Sequence, residues 1–112
     1  MNSQPDMQSI LAEIKAFRDA RGWGKFHDPK NLAINLSVEA SELLEVFLWK
    51  DNDEIDVERF KEELADVFYS AFLLADKFKL DIGQIIREKL KQNAEKYPVE
   101  KSRGSKKKYD ET

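Results

Sequence analysis

The sequence contains no cysteine and only one histidine, His27. The first absence excludes disulfides and thiolate metal sites. The second argues against zinc or di-iron centres rich in histidine. Glycine (4) and proline (3) are scarce, which disfavours a sheet protein built on many turns. No apolar run is long enough to cross a membrane, and no signal peptide is visible. The expectation is therefore a cytoplasmic protein with no membrane contact. The 112 residues suffice for one domain. A monomer of that size buries only roughly 60–70% of its unfolded surface, so association with further copies would help it.

What is abundant is charge. Charged residues make up 37% of the chain and hydrophobic residues 41%, a mixture that suits amphipathic helices. The net charge is only −3, but the signs are segregated. Residues 39 to 66 hold eleven Asp/Glu against three Lys/Arg, whereas residues 87 to 108 hold nine Lys/Arg against three Glu. An acidic centre can hold a cation and a basic end an anion. That pairing suits a metal–phosphate ligand. On charge alone, two solvated helix faces of opposite sign are the better account.

Helical periodicity recurs along the chain. Asp6 is a good N-cap for a first helix, with Met7, Ile10, Leu11, Ile14 and Phe17 at helical spacing and Gly22 as its stop. A loop, Trp23 to His27, follows. Asp28 and Pro29 read as N-cap and first position of a second helix running to about Lys50. Asp51-Asn52-Asp53 breaks it. A third helix starts near Asp56 or Val57 and runs to about Lys79. Asp81 caps a fourth, with Gln84 completing a capping box, and Tyr97-Pro98 ends it. The expected fold class is all-α, a helical bundle of about four main helices. The expected boundaries are a helical domain over residues 1–98 and a basic C-terminal tail over 99–112, disordered in a free monomer. The third helix carries Val67, Phe68, Ala71, Phe72, Leu73, Leu74 and Ala75 nearly all round, so it should be buried on every side. A second subunit is the simplest source of the missing surface.

The carboxylates are the informative residues. At 100° per residue, Leu32, Leu36, Leu43, Val46 and Phe47 form one stripe of the second helix. Glu39 falls in the middle of it, Glu42 on its edge, and the Asn35 amide points the same way. A carboxylate at such a position is costly unless paired, coordinated or protonated. No Lys or Arg stands three or four residues from Glu39 or Glu42 to pair locally. On the third helix Phe60, Leu64, Val67, Phe68 and Ala71 mark an inner stripe bordered by Glu63 and Asp66, while Glu62 points to solvent. Each helix thus offers one i, i+3 carboxylate pair on one face. Facing bundle helices build metal sites in this way. Oxygen-only ligation selects hard ions, Mg²⁺ or Mn²⁺. A buried structural ion pair is the competing account.

Glu39-Ala-Ser-Glu42 followed by Glu63-Leu-Ala-Asp66 resembles the E-x-x-E…E-x-x-D signature of the MazG-like, all-α nucleoside triphosphate pyrophosphohydrolases. The wider pattern is similar to the small dCTP-pyrophosphatase branch, from about Met7 to Tyr109. It includes Trp23 with Phe26-His27-Asp28-Pro29-Lys30-Asn31-Leu32, and Glu42-Leu43-Leu44-Glu45-Val46-Phe47-Leu48-Trp49-Lys50. Further on come Lys89, Asn93, Lys96-Tyr97-Pro98, Arg103 and Lys108-Tyr109. The resemblance implies that Glu39, Glu42, Glu63 and Asp66 ligate magnesium. It implies that Lys89, Asn93, Lys96 and Tyr97 meet the triphosphate, with Trp23, His27 and Trp49 around the nucleoside. It also implies a bundle completed by a second subunit, as a dimer or a dimer of dimers. Members of that branch often carry tyrosine four residues after the last carboxylate. Ser70 stands there in this chain, with Tyr69 one position early, which leaves base and sugar preference open.

The resemblance implies conversion of a nucleoside triphosphate, dCTP or an analogue first, to monophosphate and pyrophosphate, in nucleotide pool control or sanitation. Glu39 is the carboxylate chosen to take the proton of the attacking water. Lys89 and Lys96, two turns apart, share a helix face and reach phosphates together; otherwise they belong to a solvated face. Trp23 and Trp49 can stack on a base or simply pack at helix ends. His27 can equally serve a loop or cap. The main rival is a non-enzymatic helical interaction module with structural acidic stripes. A nucleic-acid binder using Lys101 to Lys108 conflicts with the net charge and acidic middle, and no specific nucleic acid is expected.

Overall fold

The computed structural model describes Asp6–Arg103, except for the side chains of residues 101 and 102. The chain divides after Leu80 into two compact units, Met1–Leu80 and Asp81–Thr112. Among the described residues there are helices and 3₁₀ turns but no strands.

In the first unit, α1 spans Met7–Ala20, α2 Pro29–Glu45 and α3 Val57–Lys77. Each begins on an aspartate whose carboxylate accepts backbone N–H bonds of the first turn: Asp6 from Ser9, Asp28 from Asn31, and Asp56 from Glu58 and Arg59. Pro29 fills the first turn of α2, where its missing N–H costs nothing. Gly22 has φ 65°, the left-handed conformation that lets the chain leave α1. The stretch expected as a loop, Trp23–Phe26, is a 3₁₀ turn.

Two expectations need correction. Helix α2 stops at Glu45 rather than near Lys50. From Val46 to Lys50 the backbone tightens into i→i+3 bonds, Phe47 N–H to Leu44 at 2.9 Å and Lys50 N–H to Phe47 at 3.2 Å, and Trp49 takes φ 65°. This tightening accompanies the burial of Val46 and an edge-to-face contact of Phe47 with Phe60 of α3, centroids 5.9 Å apart. A capping box of Asp51 and Glu54 then starts a short 3₁₀ turn, Asn52–Glu54.

The second correction concerns the inner face of α3. Phe68 is 56% exposed, while Ser70 and Leu73 are buried. Helix α3 is turned about its axis toward its carboxylates: Ser70 lies one turn beyond Asp66 and two beyond Glu63, so all three share a face. Fully buried side chains are few. Leu32, Val46 and Leu73 are each 1% exposed, and large apolar residues such as Leu44 and Phe78 remain open.

In the second unit, α4 spans Ile82–Lys96 with Asp81 as N-cap, and Tyr97 ends it before Pro98. The Gln84 backbone N–H donates to Asp81, and its side-chain amide donates to Glu88. One further turn, α5, spans Val99–Ser102, where an unstructured tail was expected. Beyond Arg103 the tail lies outside the described residues.

Candidate functional site

Glu39 and Glu42 stand on successive turns of α2, and Glu63 and Asp66 on successive turns of α3, the helix that α2 packs against. The packing brings one carboxylate oxygen from each of Glu39, Glu63 and Asp66 within 4.8 Å of one another. Glu42 lies beside Glu39 and Glu63, and its charge acts on both. Glu39 and Glu63 are half-buried, and Asp66 is exposed.

The electrostatics of this group are unfavourable as it stands. The Oε2 atoms of Glu39 and Glu63 are shut off from solvent and have no hydrogen-bond partner. Burial pushes both carboxyls above the ordinary glutamate range, and the neighbouring charges of Glu42 and Asp66 push them further. Arg59 opposes the shift of Glu63 less than burial, Glu42 and Asp66 promote it, and its guanidinium is paired with Glu45 at 3.8 Å. Among the described residues no ion pair reaches Glu39, Glu42, Glu63 or Asp66. A structural salt bridge therefore does not account for them. Hard anionic oxygens, crowded together and unpaired, are the donor set that a small divalent cation satisfies.

Asp66 also opens onto a cleft of about 550 Å³ between α1 and α3. Ile10, Ile14 and Phe17 of α1 form one wall, and Tyr69 forms the other. Trp23, from the 3₁₀ turn, also lines it, edge-to-face with Phe17 at 5.8 Å. Glu13 is the other carboxylate on the cleft. The Arg21 guanidinium lies 3.6 Å over the Phe17 ring and holds it in place, anchored by a 2.9 Å bond to the Phe17 carbonyl. The Tyr69 hydroxyl is shielded and without a partner.

Of the residues singled out in the sequence, the structure brings Glu39, Glu42, Glu63 and Asp66 together, with Trp23 on the adjoining cleft. His27 is not on the cleft wall. Its N–H closes the 3₁₀ turn on Gly24. Its Nδ1 is shielded and unpartnered, and burial, aided by Arg18 and Lys77, holds its pKa below the usual imidazole value. Asn35, one turn before Glu39, is exposed. Trp49 is 99% exposed. Lys89, Asn93 and Lys96 follow one face of α4 in the second unit, the lysines exposed and Asn93 half-buried. Tyr97 donates its backbone N–H to Asn93. The residues that sequence reasoning passed over are Glu13 and the wall from Ile10 and Ile14, while Tyr69 stood out only as the tyrosine one position early. The first two apolar side chains had been read as ordinary core spacing. The available signal was the proximity of Phe17 and Trp23 across Gly22.

Among the described residues the protein is an all-α chain whose facing carboxylate pairs on two packed helices form an acidic cluster compatible with a divalent cation. Residues 34–112 match the MazG-like family. The chain is 34% identical to dCTP pyrophosphatase 1 of Bos taurus, over 96% of this chain and 69% of that protein. It is 37% identical to dCTP pyrophosphatase 1 of Mus musculus, over 93% and 64% respectively. It thus spans about two thirds of the length of these curated relatives. Its structure superposes on the crystal structure of a pyrophosphatase from Archaeoglobus fulgidus with a TM-score of 0.78 and 35% identity, covering 88% of this chain and 97% of that one. The chain belongs to the MazG-like family and has its all-α pyrophosphatase fold.

Proposed function

We propose that the protein is a magnesium-dependent nucleoside triphosphate pyrophosphohydrolase, cutting between the α- and β-phosphates to give monophosphate and pyrophosphate. The observation that carries this reading is the unpaired cluster of Glu39, Glu63 and Asp66, with two solvent-shielded carboxylate oxygens. The names of the relatives, dCTP pyrophosphatase 1, supply the first substrate to try, dCTP or an analogue.

In this reading Glu39, Glu42, Glu63 and Asp66 hold the metal, with manganese as a substitute. Bound there, magnesium would neutralise charge on the phosphate chain and on the departing pyrophosphate. The chain's own residues do the rest. Glu39, whose proton affinity is raised by burial and by its neighbours, takes the proton of the attacking water. Lys89, Asn93, Lys96 and Tyr97 are the groups for the phosphates, and Trp23 is the ring available to a base in the cleft. Exposed Leu44, Phe68 and Phe78 support assembly with further copies, as a dimer or a dimer of dimers. No described helix is long and apolar enough to cross a membrane.

The test is a screen of nucleoside triphosphates with magnesium and with chelator, products separated by anion-exchange chromatography. Monophosphate and pyrophosphate in equal amounts, only with magnesium, are expected. Diphosphate and orthophosphate would overturn the reaction type.

A further inference from the structure

The cleft beside Asp66 is almost entirely apolar and aromatic, which makes its charged wall residue away from the four-carboxylate cluster informative. That residue is Glu13. It stands on α1 one position before Ile14 and three after Ile10, so it edges the same face as the apolar wall. Among the described residues no ion pair reaches it. A solvated face would explain an exposed glutamate elsewhere on α1, but this one looks into a recess large enough for a nucleobase, with Trp23 and Phe17 beside it.

A carboxylate accepts hydrogen bonds and donates none. A base meeting Glu13 is therefore bound if it presents an N–H donor and opposed if it presents a carbonyl oxygen. A carboxylate accepting from the exocyclic amine of cytosine is a standard base-edge contact. We infer that Glu13 is a specificity-determining residue of the base cleft, favouring nucleotides with an exocyclic amino group, cytosine first, over their keto counterparts. This rests on the nucleotide reading of the neighbouring cluster, because it is Asp66 that joins cleft and cluster. The aromatic rings supply stacking that any base can use. Glu13 supplies the discrimination.

The cleanest comparison is dCTP against dUTP, which place an amine or a carbonyl at the same ring position. Glu13→Gln is the probe. It keeps length and helix preference but adds a donor where only an acceptor stood, so an amide can serve either base. Loss of a charge-assisted hydrogen bond should lower the dCTP-to-dUTP ratio of kcat/KM by ~10- to 100-fold, the loss falling mainly on dCTP. Glu13→Leu should lower the same ratio while melting at a temperature close to the wild type, since Glu13 is exposed. Calorimetric titration with dCMP and dUMP, with magnesium present, reads the same preference without hydrolysis. Wild-type protein that binds dCMP no better than dUMP, or variants whose ratio stays within about twofold of wild type, would overturn the assignment. If dCMP is preferred through Glu13 yet no triphosphate is hydrolysed, the base assignment stands and the proposed reaction falls.

Discussion

Replacing Glu39 by Gln separates a cation site from a structural ion pair, because the two give stability changes of opposite sign. The exchange keeps the shape of the side chain and removes one negative charge from a group whose oxygens lie within 4.8 Å of Glu63 and Asp66. For the Glu39–Asp66 pair alone, Coulomb repulsion at that distance is about 1 kcal/mol at the dielectric constant of water and about 3.5 kcal/mol at an effective constant of 20. Asp66 is exposed, so the lower figure applies. Without metal, Glu39→Gln should therefore be more stable than wild type by about 1 kcal/mol, or roughly 4 °C in Tm for a domain of this size. The gain should shrink in 1 M salt, which screens exposed charges. With magnesium at 100 times its Kd, the wild type should gain about 2.7 kcal/mol by mass action, and the variant much less. Thermal melts with chelator and with magnesium, at low and high salt, measure all of this. A variant less stable than wild type in chelator would refute the reasoning, since that is the signature of a lost partner.

The pH dependence of the metal-free protein follows from the same crowding. Glu39 and Glu63 bind protons more tightly folded than unfolded, so their contribution to stability is present below the ordinary glutamate pKa and is lost as pH rises through the raised folded value. Melts in chelator should show this slope, and saturating magnesium should abolish it; an identical slope with and without magnesium would count against the cluster. His27 acts oppositely: its lowered folded pKa means stability falls as pH drops through the ordinary imidazole value, and His27→Gln should remove that part alone. Trp23→Ala should weaken nucleotide binding by ~10-fold or more through lost stacking with little change in magnesium affinity, as read by calorimetry. Light scattering should find more than one copy of the 13.1 kDa chain per particle; a stable monomer at working concentration would contradict the assembly proposed from exposed Leu44, Phe68 and Phe78.

The helix order was legible because local chemistry announces it. Asp6, Asp28 and Asp81 each cap the helix they were expected to cap, and Asp56 caps the third, where its start was expected. The carboxylate constellation was legible for a related reason: Glu39 interrupts an apolar stripe, and an interruption of that kind calls for a partner. What periodicity could not give was rotation. The apolar residues of α3 surround it, so periodicity favoured a stripe on Leu64 and Phe68 over the positions that are fully buried, Ser70 and Leu73. The end of α2 was hidden too, because Val46 to Trp49 reads as good helix and only packing against Phe60 tightens it. The cleft depends on the third dimension. Ile14 and Tyr69 come from helices far apart in sequence, and nothing in either segment marks them as opposite walls.

The central claim joins one cluster to one bond, and ³¹P NMR of a dCTP reaction watches that bond directly. With magnesium and wild-type protein, the three resonances of dCTP should give way to those of dCMP and pyrophosphate in equal measure, with no orthophosphate. Chelator, or Glu39→Gln protein shown by its melt to be folded, should leave the dCTP signals standing. Signals of dCDP and orthophosphate, or full turnover by Glu39→Gln, would contradict the account.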